Sequence, residues 1–133
     1  MKAPAPLAKK ILIAEDEPNI VISLEFLLKE AGYEVAVARD GSEAIRLAGA
    51  LRPDLVVLDL MLPSVNGFEV CRWIRSNPGT QGIKIVMLTA RGREGEMEKG
   101  LAAGANIYMT KPFATRELTD TVAGLLGVAR ASD

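Results

Sequence analysis

Residues 55–63 read LVVLDLMLP and place a single carboxylate, Asp59, between two apolar runs. Apolar residues that do not alternate with polar ones predict a parallel strand, Leu55–Asp59, whose two faces are both covered by helices. An ionised carboxylate is costly to bury there, so its presence needs a physical reason. Because Asp59 ends the strand, we expect it at the rim of the sheet, where it need not be buried.

Other short apolar runs flank this strand and alternate with segments of helical periodicity. They predict strands at Ile11–Ala14, Glu34–Ala38, Lys84–Thr89 and Ile107–Thr110. Such alternation is typical of parallel strands joined by crossover helices. The sequence therefore predicts an α/β fold, a (βα)5 doubly wound sandwich of three layers built on a five-stranded parallel sheet.

Local signals delimit the helices between these strands. Pro18 suits the first turn of the first helix, and Ser42 is the expected N-cap of the second. The third helix is expected to end at residues 77–79, which read NPG. Arg91–Ala103 is expected to form the fourth helix, weakened by three glycines.

The composition bounds the function. The 133 residues carry 16 basic and 17 acidic groups, so a net charge of −1 gives no attraction to nucleic acid or an anionic membrane. The absence of histidine excludes Ser-His and Cys-His nucleophiles and the usual zinc sites. Cys71, the single cysteine, is expected to be a small buried hydrophobe.

We expect one folded domain at 9–128, between flexible tails at 1–8 and 129–133, and no second domain. The first ten residues lack the apolar core of a signal peptide, and no apolar run approaches the roughly 20 residues of a membrane span. These features predict a cytoplasmic protein without membrane contact.

Polar side chains follow four of the five predicted strands. They are Glu15 and Asp16 after the first strand, Asp59 at the third, Thr89 at the fourth and Lys111 after the fifth. Ligands of doubly wound sheets bind beyond the carboxyl ends of the strands. Three carboxylates, one hydroxyl and one ammonium are therefore expected at the same edge.

This set of groups suits phosphoryl transfer. Three neighbouring carboxylates would raise one another's pKa, and a divalent cation such as Mg²⁺, which prefers oxygen ligands, would relieve the repulsion. A carboxylate can attack phosphorus to form an acyl phosphate, and the reaction depends mainly on positioning and charge neutralisation. We expect Asp59 as nucleophile, Mg²⁺ and Lys111 as charge partners, and Thr89 as a hydrogen-bond donor.

The chain resembles a receiver domain, the phospho-accepting part of a response regulator in two-component signalling. The resemblance covers roughly residues 9–128 and rests on four motifs in order: ILIAEDEPN, LVVLDLMLPSVNG, IVMLTA and GANIYMTKPF. It implies the chemotaxis-regulator fold with strand order 2-1-3-4-5.

The resemblance also implies the site roles around the metal. Asp59 matches the phospho-acceptor, whose carboxylate is also a metal ligand. Glu15 and Asp16 match the acidic pair that holds Mg²⁺ or Mn²⁺, with Asp16 the more direct ligand. The backbone carbonyl of Met61 matches the third protein ligand.

Three further roles follow from the resemblance. Thr89 and Lys111 match the hydroxyl and the ammonium that bind the phosphoryl group. Tyr108 matches the aromatic switch residue, which turns inward as Thr89 moves toward that group. The peptide bond between Lys111 and Pro112 matches one that is cis in the family.

The sequence departs from the family pattern at a few positions. Glu15 is a common variant, and Asn106 and Ile107 replace an acidic pair. Ile107 and Thr121 stand where the branch that dimerises through its fourth helix, fifth strand and fifth helix usually has Asp and Arg. We therefore expect a monomer or a weak dimer.

The implied function is a signalling switch, either stand-alone or cut from a longer chain. A sensor histidine kinase or a histidine phosphotransfer protein would phosphorylate Asp59, and the face formed by the fourth helix, fifth strand and fifth helix would then control a downstream protein partner. We expect slow self-dephosphorylation, no turnover of an external substrate and no direct binding of nucleic acid.

Three other functional classes share features with this sequence. An aspartate-nucleophile phosphatase generally has a second Asp two residues after the first, where this chain has Met61. A flavodoxin-type flavin module would hold a phosphate after the first strand, where residues 15–17 are all acidic. A pseudo-receiver would bind partners without phosphorylation.

Taken singly, the site residues also have ordinary structural explanations. Asp16 would cap the first helix, Asp59 would be a turn residue and Lys111 a solvated surface lysine. Their joint placement at successive strand ends is what favours the site.

Overall fold

The computed structural model describes residues 8–90 and 94–128. The strands are β1 (Lys10–Ala14), β2 (Glu34–Ala38), β3 (Leu55–Asp59), β4 (Lys84–Ala90) and β5 (Ile107–Lys111). The helices are α1 (Pro18–Glu30), α2 (Gly41–Leu51), α3 (Gly67–Ser76), α4 (Met97–Ala103) and α5 (Thr115–Leu126). The predicted strands are confirmed to within one residue at each end.

All strands pair in parallel, in the order β2-β1-β3-β4-β5. This confirms the predicted fold class and strand order. β3 lies at the centre between β1 and β4, with Ala14 opposite Leu58 and Asp59 opposite Leu88. The register therefore brings the carboxyl ends of the three strands to one edge.

Two apolar clusters cover the two faces of the sheet. Helices α2, α3 and α4 pack on one face, where the alternate β1 residues Leu12 and Ala14 are buried. Helices α1 and α5 pack on the other face, over Ile11 and Ile13. Cys71 is buried in the first cluster, as predicted.

The helix starts differ from the sequence predictions in two places. Asp40, not Ser42, is the N-cap of α2, because its carboxylate accepts a hydrogen bond from the Glu43 amide. The predicted helix Arg91–Ala103 was too long: a 3₁₀ turn at Glu94–Glu96 precedes α4, and residues 91–93 lie outside the described part. Glycine-rich sequence pays a high entropic cost in an α-helix, which accounts for the shorter element.

The predicted tails at 1–8 and 129–133 lie, apart from residue 8, outside the described residues. None of the helices in the described part of the chain combines the length and the apolar character that crossing a bilayer requires.

The guanidinium of Arg75 ties the end of α3 to two loops. It donates to the backbone carbonyls of Gly104 at 2.9 Å, Gln81 at 3.0 Å and Ile83 at 2.6 Å. It also donates to the side-chain oxygen of Asn106 at 2.9 Å. One side chain thus satisfies four acceptors at the end of the sheet opposite the candidate site.

We expect Arg75→Ala to lower the free energy of unfolding by about 2 kcal/mol, because these acceptors lose a charged donor. Arg72→Ala is the matched control on the same helix. Arg72 is exposed and pairs with the exposed Glu69, so its removal should change stability by about 0.5 kcal/mol or less. Urea unfolding of both variants measures the difference. Equal losses would contradict the assigned role.

Candidate functional site

Three carboxylates meet at the carboxyl edge of the sheet. One oxygen from each of Glu15, Asp16 and Asp59 lies within 4.8 Å of the others. Glu15 and Asp59 are buried, and Asp16 is exposed. The three carboxylates lie close together because β1 and β3 are parallel neighbours that end at the same level. The predicted acidic cluster is therefore present.

The ammonium of Lys111 joins this cluster from the end of β5. Its Nζ lies 2.8 Å from Glu15 Oε1 and 3.4 Å from Asp59 Oδ1. The side chain keeps 19% of its exposure, so the surface-lysine explanation is wrong. The ammonium of Lys111 is therefore held by two buried carboxylates and lies beside the place where a group would bind to Asp59.

Asp59 is more enclosed than the sequence suggested. It is 4% exposed, although its place at the end of β3 was predicted. The difference arises because β3 is central and the chain that follows folds back over its end: the Gly67 amide donates to the Leu60 carbonyl at 2.9 Å.

The two oxygens of the Asp59 carboxylate have different surroundings. Oδ1 accepts from the Met61 amide at 3.3 Å and lies 3.4 Å from Lys111 Nζ. Among the described residues, no hydrogen-bond donor or cation contacts Oδ2. Oδ1 is thus held by two contacts, neither of which reaches Oδ2.

Glu15 and Lys111 form an ion pair in which each group affects the pKa of the other. Burial raises the pKa of the Glu15 carboxyl and the charge of Asp59 adds to this, while hydrogen bonds from Lys111 and the Glu17 amide oppose it. Burial alone would lower the pKa of Lys111, but the hydrogen bond to Glu15 and the charge of Asp59 outweigh it and raise that pKa. Lys111 is therefore firmly cationic, and the buried Glu15 carries an electrostatic cost when it ionises.

Thr89 lies in β4, one residue beyond the partner of Asp59 in the ladder. It is fully buried, and its Oγ1 has no hydrogen-bond partner among the described residues. A buried hydroxyl normally has a partner, so an unpaired one marks a place where a ligand or a movement would supply it. This agrees with the predicted donor role.

Tyr108 lies on β5 and packs half-buried against the cluster under α4. A Cβ on Gly100 would come within 3.0 Å of its ring, so α4 approaches the tyrosine closely there. The peptide bond between Lys111 and Pro112 is cis, as the resemblance implied.

Comparison with known proteins settles the family. Residues 11–123 match the family model of the response regulator receiver domain. The chain belongs to this family. It is therefore a receiver domain of two-component signalling.

The receiver domain is similar to two transcriptional regulators. It is 45% identical over 118 residues to the alkaline phosphatase synthesis transcriptional regulatory protein PhoP of Bacillus subtilis, covering 89% of this chain and 48% of that protein. It is 47% identical over 122 residues to the phosphate regulon transcriptional regulatory protein PhoB of Rhizobium meliloti, covering 91% and 53%. The chain spans about half the length of these relatives.

Solved structures show the same fold. A response regulator from Chloroflexus aurantiacus superposes with a TM-score of 0.86 at 37% identity, over 90% of this chain and 98% of that one. The receiver domain of the Pseudomonas aeruginosa sensor histidine kinase PA1611, solved with magnesium coordinated in its active site cleft, gives 0.83 at 34% identity, over 90% and 98%.

The donor set of this receiver domain fits a small divalent cation. Mg²⁺ takes oxygen ligands and typically one or two carboxylates, and the cluster offers three carboxylates with one exposed member. Asp16 does not cap α1: the N-cap is Glu17, and no side chain caps that end. The structural explanation for Asp16 is therefore wrong. The Met61 carbonyl as a further ligand stays a prediction.

Sequence reasoning gave Gly67 no role at the site. A Cβ there would lie 2.7 Å from the Asp59 carbonyl and 2.8 Å from Leu60 Cα. Only glycine lets α3 start this close to the end of β3. The sequence signal for this close approach was a glycine a few residues after the acid that ends the strand.

The raised pKa of Glu15 predicts a pH dependence of stability in EDTA. The folded protein keeps this proton at pH values where the unfolded chain has lost it, so the stability that Glu15 contributes is greatest at low pH. It is lost as pH rises from the ordinary value of 4.5 through the raised folded value. We therefore expect the wild type to lose stability relative to Glu15→Gln across this window. Urea unfolding at a series of pH values measures it, and a relative gain would contradict the prediction.

Two buried threonines should respond oppositely to replacement by valine. Thr89→Val removes an unpaired buried hydroxyl and should raise the free energy of unfolding by about 1 kcal/mol. Thr80 is also buried, but its hydroxyl donates to the Ile74 carbonyl at 2.8 Å, so Thr80→Val should lower it by about 1–2 kcal/mol. Urea unfolding without metal compares them. A loss of stability in Thr89→Val would contradict this view of the hydroxyl.

Proposed function

We propose that this receiver domain is a phosphorylation-driven switch that accepts a phosphoryl group on Asp59. The observation that carries the proposal is the arrangement of its carboxylate: Lys111 Nζ and the Met61 amide hold Oδ1, and Oδ2 has no donor among the described residues. A nucleophile needs one oriented and one open oxygen. The exposed Asp16 and Met61 mark the side from which a donor approaches.

The proposed step is an in-line displacement at phosphorus. An Asp59 oxygen forms a new O–P bond, while the P–N bond of a phosphohistidine breaks and its electron pair returns to the imidazole nitrogen. The phosphohistidine belongs to a sensor histidine kinase or a histidine phosphotransfer protein. With acetyl phosphate as donor, the P–O bond breaks and acetate leaves.

The residues of this chain hold the reacting groups. Lys111 stabilises the negative charge that collects on the phosphoryl oxygens, since its ammonium already lies beside Asp59. Thr89 gives its unpaired hydroxyl to one of those oxygens. Glu15, Asp16, Asp59 and the Met61 carbonyl would hold Mg²⁺ or Mn²⁺, which would supply charge neutralisation during transfer.

The proposed output follows from Thr89. When its hydroxyl turns to the phosphoryl group, Tyr108 moves inward and the face formed by α4, β5 and α5 changes its affinity for a downstream protein. No external substrate is turned over, and the aspartyl phosphate slowly hydrolyses. We propose that the protein is cytoplasmic and that this domain does not contact nucleic acid directly. The relatives are transcriptional regulators about twice as long. We therefore also propose that the output can pass through further parts of a longer chain.

Incubation with acetyl phosphate and Mg²⁺ tests the proposal by mass spectrometry. The intact protein should gain the mass of one phosphoryl group, and Asp59→Asn should gain none. Lys111→Met should slow the gain about 100-fold, the scale of losing one charge-stabilising donor. Lys29→Met, on the exposed surface of α1, is the control and should react like the wild type.

A wild type that gains no phosphoryl group from acetyl phosphate or from phosphoramidate would contradict the proposal and favour the pseudo-receiver. Phosphorylation that persists in Asp59→Asn would place the acceptor elsewhere. A yellow purified protein would favour the flavin module instead.

A further inference from the structure

The loop that follows Asp59 is fastened to the first turn of α2. We call residues 60–66 the β3–α3 loop. The Gly41 amide, at the start of α2, donates to the Pro63 carbonyl at 3.0 Å. A Cβ on Gly41 would lie 1.8 Å from the Val65 carbonyl oxygen, far inside contact distance. Only a glycine allows the loop to lie this close to the helix.

A second set of contacts holds the same loop through Ser64. Its Oγ accepts from the Ser42 amide at 3.2 Å, lies 3.1 Å from Ser42 Oγ and donates to Asp40 Oδ1 at 3.4 Å. Asp40 also caps α2. Ser64 has a φ of +67°, a left-handed conformation that a serine rarely adopts. The surrounding bonds must offset the strain of that conformation.

The other end of the loop is fixed to the sheet. The Leu60 amide donates to the Leu88 carbonyl of β4 at 2.9 Å, and the side chains of Leu60 and Leu62 are both buried. Met61 lies between these anchors, 51% exposed, with its amide 3.3 Å from Asp59 Oδ1. The backbone at Met61 is thus held beside the acidic cluster from both sides.

We propose that Gly41 and Ser64 are positioning residues, which hold the β3–α3 loop so that the backbone of Met61 faces the acidic cluster and thereby set the affinity of the site for a divalent cation. The inference rests on the proposed function, in which the Met61 carbonyl is a metal ligand. Neither residue touches the metal or the phosphoryl group. They act by preorganisation, because a loop already held in its binding conformation loses little freedom when the ion arrives.

Mn²⁺ binding tests the inference without relying on phosphorylation. Electron paramagnetic resonance measures free Mn²⁺ during titration of the intact, unphosphorylated protein. Gly41→Ala should bind about tenfold more weakly than the wild type, because the new Cβ must displace the loop at Val65. Gly124→Ala on α5 is the control: its Cβ would meet no heavy atom within 4 Å, so its affinity should not change.

Ser64→Gly keeps the proposal testable if Gly41→Ala does not fold. Glycine tolerates the left-handed backbone, so this variant removes the hydroxyl contacts without new strain. We expect about threefold weaker Mn²⁺ binding, together with faster amide hydrogen exchange at Met61 and Leu62. Circular dichroism establishes that each variant is folded.

The outcomes separate the inference from the proposed function. A wild type that binds no Mn²⁺ overturns both. If the wild type binds Mn²⁺ and the folded variants bind it equally well, the positioning role is overturned while the phosphorylation switch stands. Faster exchange in the loop with unchanged Mn²⁺ affinity also overturns the inference, because the loop would then be mobile without consequence for the metal.

Discussion

The arrangement of the site depends on the ammonium of Lys111 beside two buried carboxylates. It lies 2.8 Å from Glu15 and 3.4 Å from Asp59, and with the exposed Asp16 the ionised cluster keeps two negative charges in excess. Such an excess at a nearly buried position is unfavourable until a divalent cation offsets it. In the proposed function, a phosphoryl group would then add negative charge beside the ammonium of Lys111. In the proposed switch, these charges favour binding of the metal before transfer of the phosphoryl group.

The sequence predicted the sheet and the site residues because both depend on short, uninterrupted patterns. Apolar runs marked every strand, and polar residues at strand ends converge in a parallel sheet whatever the details of its loops. It did not predict that Asp40 caps α2, that Asp59 is nearly buried or that Ser64 adopts a left-handed backbone. The burial of Asp59 and the backbone of Ser64 depend on contacts between segments distant in sequence, such as the approach of Val65 to Gly41, which leave no local pattern. The Asp40 cap is a local contact with the Glu43 amide, and an acid three residues after Asp40 was its signal in the sequence.

The half-buried Arg75 and the buried Thr89 show which polar groups support the fold and which serve the site. Arg75, at the end of the sheet away from the site, donates hydrogen bonds to four acceptors. Thr89, at the site, is fully buried with an unpaired hydroxyl. An apolar residue of similar shape at this position would make the fold more stable, because an unpaired buried hydroxyl costs free energy. Its presence is explained if a second state of the protein, in which the hydroxyl has a partner, contributes to function.

In the proposed switch, the structure on one side of Asp59 stays fixed and the structure on the other side moves. On the α2 side, hydrogen bonds from Gly41 and Ser64 fasten the loop, so the ligands of the metal stay in place. On the β4–β5 side, Thr89 lacks a partner and Tyr108 packs against Gly100, a position without a side chain to resist it. Since packed elements move between discrete arrangements, a displacement of Thr89 is passed on where packing allows a second arrangement. In the proposed switch, the signal would therefore be directed toward α4 and away from α2.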